Sequence, residues 1–251
     1  MTAGDIYSFI NEIAPFDSQC SWDNSGIIIG CAEKEIKKVL VCLDVTEDSA
    51  KYAAENGCGL IISHHPVIFR AVKRISSVCV LWTLIKNETC VISAHTNLDK
   101  AKGGVNDVLC ETLKMDYEKL PEEYAEGFLN CGFINGADSA EKLAGYVSEK
   151  LRGPVRYIDS GVPIKKIAVC CGAGGEFHSD AKAAGCSALI TGDADHHDFL
   201  DAAAEGVSLF AAGHYETEYP VTEALFSRLS EAFPETDFML YPKLDPILTV
   251  K

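Results

Sequence analysis

An internal repeat is the sequence feature that most constrains the fold. Residues 37–42 (KKVLVC) resemble residues 165–170 (KKIAVC), and residues 57–63 (GCGLIIS) resemble residues 185–191 (GCSALIT). Both matches have the same separation of 128 positions, and no gap is needed between them. Chance similarity between two βαβ units is the alternative explanation. Duplication accounts better for two matches at one separation, and it predicts two similar α/β subdomains.

Short apolar segments alternate with amphipathic segments along the chain, which favours an α/β fold with mostly parallel sheets flanked by helices. Strands are predicted at residues 39–45, 60–63, 89–94, 167–171, 188–191 and 208–212. Helices are predicted at residues 5–14, 46–56, 78–87, 105–114, 140–151, 176–184, 194–205 and 221–233. The acidic segment 116–126 reads as a connection, so we expect an N-terminal half at 1–125 and a C-terminal half at 126–251.

Composition excludes several classes of protein. The chain has 22 basic and 37 acidic residues and a net charge of −15, which disfavours nucleic acid and anionic membranes as partners. It lacks a long apolar segment and an N-terminal signal pattern, so we expect a cytoplasmic protein. The eleven cysteines are odd in number and contain no Cys-x-x-Cys pair, which predicts reduced, mostly buried thiols.

Two adjacent histidines, His64 and His65, follow a predicted buried strand and precede Pro66. Neighbouring side chains of an extended chain point to opposite sides. Each histidine could therefore serve one of two neighbouring metal ions. Hydrogen-bonded histidines at a polar strand end are the alternative.

Two further histidines each precede a carboxylate by four positions. His95 and Asp99 follow one predicted strand, and His214 and Glu218 follow another. In a helix this spacing would place both groups on one face. Pro220 disfavours helical backbone at the preceding residue, so the sequence predicts a strand-to-helix loop for 214–218. Ligands collect at such loops beyond the carboxyl ends of parallel strands.

Two other polar segments have more than one interpretation. Residues 191–198 (TGDADHHD) could contact substrate or support the metal ligands, cap the following helix through Asp193, or bind metal directly. Residues 171–175 (CGAGG) could form a tight turn or an anion-binding loop, and they match neither the dinucleotide-binding pattern nor the P-loop.

Seven segments, in this order, resemble the NIF-three-like dinuclear-metal proteins, often labelled GTP cyclohydrolase 1 type 2 homologues. They are residues 22–26 (WDNSG), 63–70 (SHHPVIFR), 93–99 (SAHTNLD), 103–107 (GGVND), 171–175 (CGAGG), 191–193 (TGD) and 213–218 (GHYETE). The resemblance implies a short form without an inserted domain, a metal site between two α/β subdomains, and a toroidal homohexamer. It implies the metal ligands His64, His65, Asp99, His214 and Glu218.

A ligand set of imidazole and carboxylate groups suits two divalent zinc, iron, manganese, cobalt or nickel ions. We assign Glu218 as the bridging carboxylate and His95 as a group beside the metals that orients a carboxylate or moves a proton. The substrate contacts that we expect are Thr96, Asn97, Asp193 and His196. Two functions remain open: a metal-dependent hydrolase acting on a nucleotide-like, cyclic amide or phosphoester substrate, and a non-enzymatic metal-loaded scaffold or regulatory protein.

Overall fold

The computed structural model describes residues 1–242 of the 251-residue chain. This part divides into two compact units. The first contains Met1–Lys102 and the described residues from Thr222 onward, and the second contains Gly103–Val221. This division differs from the predicted halves, because residues 103–125 lie in the second unit and the chain returns to the first unit at Thr222. Residues 243–251 of the predicted C-terminal half lie outside the described residues.

The secondary structure alternates strands and helices. The strands are β1 (Gly26–Ile29), β2 (Lys38–Cys42), β3 (Leu60–Ser63), β4 (Cys90–Ser93), β5 (Asp116–Lys119), β6 (Asn130–Phe133), β7 (Arg156–Ile158), β8 (Ile167–Ala173), β9 (Ala188–Asp193), β10 (Ser208–Ala211) and β11 (Asp237–Leu240). The helices are α1 (Ala3–Ile13), α2 (Glu47–Glu55), α3 (Val80–Lys86), α4 (Thr96–Lys100), α5 (Val105–Thr112), α6 (Ala140–Leu151), α7 (His178–Ala183), α8 (His196–Glu205) and α9 (His214–Ala232).

The sheet of the first unit has the strand order β1-β4-β3-β2-β11. Only β1 runs antiparallel to its neighbour, and the other pairs are parallel. Every residue of β3 and β4 is buried, as expected for central strands of a parallel sheet that carries helices. Ala50 and Ala53 of α2 and Leu84 of α3 pack against Leu40 and Ile61 of the sheet, so these helices cover one of its faces.

The sheet of the second unit has the order β5-β6-β8-β9-β10-β7 and is mixed. The strands β8, β9 and β10 are parallel, whereas β5, β6 and β7 pair antiparallel. Ala181 of α7 and Ala202 of α8 pack against Ala168, Leu189 and Leu209 of the three parallel strands. The expectation of mostly parallel sheets therefore holds for the first unit, while the second has a parallel centre with antiparallel edges.

The central strands of both units pair in the same register, which supports the duplication. Val39 of β2 lies opposite Leu60 of β3. In the second unit, Ile167 of β8 lies opposite Ala188 of β9. Each residue of the second pair stands 128 positions after its counterpart in the first pair. A third parallel strand follows in each unit, β4 beside β3 and β10 beside β9. An antiparallel strand then borders this third strand, β1 in the first unit and β7 in the second. The two α/β units are thus similar in their cores and differ at their outer strands.

Two local predictions are wrong. Residues 116–119 do not belong to a connection, because β5 forms an exposed, charged edge strand of the second sheet. Residues 214–218 do not form a loop, because α9 begins at His214 and continues through Pro220. Pro220 lacks the N–H that would bond to the carbonyl four residues earlier. The burial of Leu225 and Leu229 in the following turns stabilises the helix despite this loss.

The cysteines agree with the prediction of reduced, mostly buried thiols. All eleven are free, and nine are buried. Burial raises the pKa of Cys110 and Cys186 to about 12, so these thiols stay protonated at neutral pH. Across residues 1–242, no helix combines the length and apolar character needed to span a membrane.

Candidate metal centre

The two adjacent histidines of the first unit lie close together rather than on opposite sides of a strand. β3 ends at Ser63, and the chain bends at His64 and His65. The Ser63 hydroxyl donates a hydrogen bond to the His65 carbonyl at 2.8 Å, and the His65 N–H donates to the Leu43 carbonyl at 3.0 Å. The two imidazole rings are consequently 4.9 Å apart. The expectation of opposite orientations is wrong because the chain bends at both histidines instead of continuing as an extended strand.

Each of these imidazoles is oriented through its Nδ1 atom. His64 Nδ1 lies 2.8 Å from the Ala94 carbonyl oxygen, and His65 Nδ1 lies 2.8 Å from Asp44 Oδ1. An oxygen acceptor at Nδ1 fixes the tautomer and makes Nε2 the nitrogen that would bind a metal. His64 Nε2 is 3.4 Å from Asp99 Oδ1, and both side chains are buried. The first unit thus holds an imidazole and a carboxylate side by side in its interior.

His95 completes a histidine cluster in the first unit. One nitrogen from each of His64, His65 and His95 lies within 4.8 Å of the others. His95 Nδ1 is 2.8 Å from Asp23 Oδ1, and the second oxygen of Asp23 accepts hydrogen bonds from the Thr96 N–H at 3.0 Å and hydroxyl at 2.6 Å. Burial opposes the ionisation of Asp23. The hydrogen bonds from His95 and Thr96 outweigh it and hold the pKa of Asp23 well below its ordinary value.

The second unit brings His214 and Glu218 together on one helix turn. His214 is the first residue of α9, and its Nε2 atom lies 3.1 Å from Glu218 Oε2. Residues four apart in a helix share a face, so the helix itself places the imidazole beside the buried carboxylate. The His-x₃-Glu spacing predicts this contact if the segment is helical, which it is, and the expectation of a loop is wrong.

Asp193 orients His214. Its Oδ2 atom lies 2.7 Å from His214 Nδ1, and this contact leaves His214 Nε2 directed toward Glu218. Asp193 does not cap the helix that follows it, because the N-cap residue of α8 is Asp195. Among the interpretations of residues 191–198, the geometry therefore favours a supporting role for Asp193. His196 is exposed at the start of α8, and its role as a substrate contact stays a prediction.

Gly172 makes room for the carboxylate of Glu218. Its φ angle is +59°, a left-handed conformation that favours glycine, and a Cβ atom at this position would overlap Glu218 Oε1. The next glycines of the segment serve close packing, since a Cβ on Gly174 would meet Cys170 and one on Gly175 would meet Ala194. Residues 171–173 thus form the irregular end of β8, and Gly174 and Gly175 lead tightly packed into the next segment.

The structure places Thr96 and Asn97 in the interior of the first unit. The Thr96 hydroxyl donates to Asp23 and accepts a hydrogen bond from the Cys20 N–H at 2.9 Å. The Asn97 amide donates to the Ala14 carbonyl at 2.8 Å. Both side chains support the fold around the histidine cluster, and their role as substrate contacts stays a prediction.

The sequence did not predict two of the carboxylates that orient the histidines, Asp44 and Asp23. Asp44 follows β2, and its partner His65 follows the adjacent parallel strand β3. The carboxyl ends of neighbouring parallel strands meet at one sheet edge, so a known strand order would have revealed the pair. Asp23 contacts His95 across 72 positions of sequence, so no local pattern indicates this pair.

Residues 1–244 match the sequence model of the family described as Duf34/NIF3 (NGG1p interacting factor 3). The chain belongs to the NIF3 family. This NIF3 protein is 34% identical over 241 residues to a Clostridium perfringens protein named GTP cyclohydrolase 1 type 2 homolog, with 92% of each chain covered. It is 32% identical over 223 residues to the GTP cyclohydrolase 1 type 2 of Helicobacter pylori, covering 85% of this chain and 86% of that one.

Solved structures share the fold of this NIF3 protein. A hypothetical protein of Staphylococcus aureus is 28% identical, has a TM-score of 0.89, and covers 100% of this chain and 99% of its own. Reduced HcgD of Methanocaldococcus jannaschii is also 28% identical, with a TM-score of 0.83 and coverage of 97% and 98%. A Bacillus cereus protein related to NIF3 is 21% identical with a TM-score of 0.89 over 100% of this chain and 99% of its own, and it supports the fold alone.

Proposed function

We propose that this NIF3 protein binds two divalent transition-metal ions and uses them to hydrolyse a nucleotide-like substrate. The proposed ligands are His64, His65, Asp99, His214 and Glu218. One observation carries the proposal: the Nδ1 atom of each ligand histidine lies within 2.8 Å of an oxygen atom of its own unit. Metal-binding histidines are oriented in this way, because the bond at one nitrogen sets the direction and basicity of the other.

The donor atoms fit a transition metal. Imidazole nitrogen combined with carboxylate oxygen suits zinc, iron, manganese, cobalt or nickel, whereas calcium prefers oxygen alone. Asp99 and Glu218 are buried, and a buried carboxylate requires a compensating positive charge or hydrogen bonds. We assign Glu218 as the bridging ligand. Asp99 and one of His64 and His65 would hold one ion, and His214 would be a ligand of the second.

Divalent ions held by these ligands would supply Lewis acidity and would make water more acidic. His95 is the side chain that we propose moves the proton. Asp23 stays ionised because its pKa is low, and it therefore accepts a hydrogen bond from the Nδ1–H group of His95. The His95 Nε2 atom then keeps a lone pair that can accept a proton from water or return one to a leaving group.

The names of the relatives support a nucleotide as the substrate class. The Helicobacter pylori relative is called GTP cyclohydrolase 1 type 2, and opening of a purine ring by water is a hydrolytic reaction. Phosphoester and cyclic amide hydrolysis require the same metal chemistry, so these substrates belong in the test. The net charge of −15 means that a nucleotide phosphate needs local basic residues.

The test combines metal analysis with turnover. Protein reconstituted with zinc, manganese or iron should contain about two ions per chain, as a dinuclear site requires. It should hydrolyse at least one member of a panel of nucleotides, phosphoesters and cyclic amides. The His64→Ala/His214→Ala variant should lose both metal and turnover, whereas His95→Ala should lose turnover and keep its metal.

Two results would contradict the proposal. Protein that contains almost no metal after reconstitution would refute the metal site. Turnover that proceeds equally in the wild type and in the metal-free double variant would identify a contaminating activity. Full metal loading without turnover across the panel would instead assign the protein a non-enzymatic role as a metal-loaded scaffold.

We also propose self-association into a homohexamer, the assembly that the family resemblance implies. Light scattering coupled to size-exclusion chromatography measures the mass directly. A mass near that of the 27.1-kDa single chain at micromolar concentration would refute the assembly.

A further inference from the structure

Two large aromatic side chains of the first unit stand exposed beside each other. Trp22 is 59% exposed and Phe69 is 48% exposed. Their ring centroids are 5.9 Å apart with an interplanar angle of 71°, so the edge of one ring faces the other ring. Apolar rings exposed in this way mark surfaces that bind a partner or ligand more often than surfaces that only face water.

Hydrogen bonds to neighbouring residues hold this aromatic pair in place. The Asn24 amide donates to the Ile68 carbonyl at 2.6 Å and so joins the segment that carries Trp22 to the segment that carries Phe69. Asp23, next to Trp22, bonds to His95. The exposed rings are therefore positioned before any ligand arrives, which lowers the entropic cost of binding.

The pair adjoins the histidine cluster. The His95 ring centroid lies 6.3 Å from that of Trp22 and 6.0 Å from that of Phe69. The same ring lies 5.1 Å from His64. A planar molecule stacked on one of these two rings, with the other ring against its edge, would consequently lie close to His95 and to His64 beyond it.

The charge near Phe69 is opposite to that of the chain as a whole. Residues 66–86 contain no aspartate or glutamate, although the chain has a net charge of −15. Arg70, Lys73 and Arg74 lie in this stretch and are exposed. A cationic loop in an acidic protein can attract an anionic ligand and steer it toward the adjacent site.

We propose that Trp22 and Phe69 form a stacking surface for the base of a nucleotide, and that Arg70, Lys73 and Arg74 bind its phosphates. The choice of a nucleotide rests on the proposed function. Base stacking on an aromatic side chain requires only a planar π face, and guanidinium groups match phosphate oxygens in geometry.

Isothermal titration calorimetry of the metal-loaded protein with three probes separates the contribution of base stacking from that of phosphate binding. The probes are guanosine triphosphate, guanosine and inorganic tripolyphosphate. Trp22→Ala/Phe69→Ala should weaken binding of the nucleotide and of guanosine about tenfold or more, as expected for loss of a stacked base, and leave tripolyphosphate binding unchanged. Arg70→Ala/Lys73→Ala/Arg74→Ala should weaken the nucleotide and tripolyphosphate but not guanosine.

Matched variants control for nonspecific effects. Trp82→Ala removes the other tryptophan of the chain, which is 44% exposed, and should leave all three affinities unchanged. Trp22→Phe keeps an aromatic face and should retain most of the affinity for guanosine. In a Trp82→Phe variant, where Trp22 is the single tryptophan, guanosine should quench the fluorescence.

Unchanged guanosine and nucleotide affinity in Trp22→Ala/Phe69→Ala would overturn the stacking surface. This result is distinct from failure of the proposed hydrolysis, because affinity and turnover are measured in separate experiments. Altered binding with no turnover would uphold the stacking surface and contradict the hydrolase. Turnover with unaltered binding would uphold the hydrolase and contradict the stacking surface.

Discussion

The Nδ1 atom of His214 lies 2.7 Å from Asp193 Oδ2, and the same arrangement occurs in the first unit between His65 and Asp44 at 2.8 Å. The repeat does not relate these two pairs by equivalent positions. Ser63 and Thr191 occupy equivalent register positions in β3 and β9, so Asp193 corresponds to His65 itself. At this position the first unit thus has the histidine itself, His65. The second unit has Asp193, the carboxylate that orients His214.

We expect Asp193→Asn to weaken metal binding about tenfold or more, the loss typical when a supporting carboxylate behind a histidine ligand is removed. Asparagine keeps the size of the side chain but loses the negative charge that makes Nε2 of His214 more basic. Competition with a chromophoric zinc chelator measures the affinity.

The control for Asp193→Asn is Asp201→Asn, which removes the same charge from an exposed position on α8. Its metal affinity should equal that of the wild type. Equal affinity in both variants and the wild type would show that Asp193 does not support a metal ligand.

Glu218→Gln should lower the occupancy of both metal ions, because a bridging carboxylate serves both. Asp99→Asn should mainly empty one. The exposed Glu223 on the same helix provides the control, and Glu223→Gln should leave the metal content unchanged. Elemental analysis after dialysis measures the metal content of each variant. If Glu218→Gln kept its full metal content, the bridging assignment would be wrong.

The elements predicted most accurately are those whose local sequence pattern, such as an apolar run or a capping residue, matches their burial and their ends in the structure. The predicted strand 60–63 and helix 140–151 coincide with β3 and α6. β3 is an apolar run that is buried throughout, and α6 begins after Ser139, whose side chain caps it. The strands β1 and β11 were not predicted, because short outer strands acquire their conformation from pairing with β4 and β2 rather than from a local pattern.

The candidate site could be predicted in its residue types but not in its local geometry. The helices that follow the third strands begin at Thr96 and His214. His214 therefore corresponds to Thr96, and His95 corresponds to Gly213. The two His-x₃-carboxylate motifs therefore differ by one residue in their position after the third strand of each unit. Sequence similarity around these motifs is too short to fix the alignment, whereas strand register determines it.

The low pKa of Asp23 predicts a pH-dependent contribution to the stability of the metal-free protein. Burial disfavours the charged form, but the hydrogen bonds from His95 and Thr96 lower the pKa below the ordinary 3.8. A depressed carboxyl pKa stabilises the folded state above the unfolded pKa, and this stabilisation is lost as the pH falls below about 4 toward the folded pKa.

Asp23→Asn should accordingly be less stable than the wild type at pH 7, and the difference should shrink at pH 3. Urea denaturation gives the free energy of unfolding at each pH. Asp17→Asn, at a nearby exposed position, should show no such difference at pH 7. A stability difference for Asp23→Asn that stayed constant between pH 7 and pH 3 would contradict the role of its ionised form.

Gly172→Ala tests the close approach of Gly172 to Glu218. Alanine should cost about 1–2 kcal/mol of unfolding free energy for the left-handed backbone alone. Overlap of its Cβ with the buried Glu218 carboxylate should add about 1–3 kcal/mol, as overpacking of an interior does. Gly161 is the matched control, since its φ angle is +75° and a Cβ there would have nothing within 4 Å.

Gly161→Ala should therefore show only the backbone cost, and the difference between the two variants isolates the contact with Glu218. Displacing the Glu218 carboxylate should also lower the metal content of Gly172→Ala, whereas Gly161→Ala should bind metal like the wild type. Urea denaturation and elemental analysis provide the two measurements. Equal stability and equal metal content in the two variants would show that the carboxylate does not depend on the space beside Gly172. A larger loss in Gly172→Ala on both measurements would explain why a glycine stands at this position of the second unit.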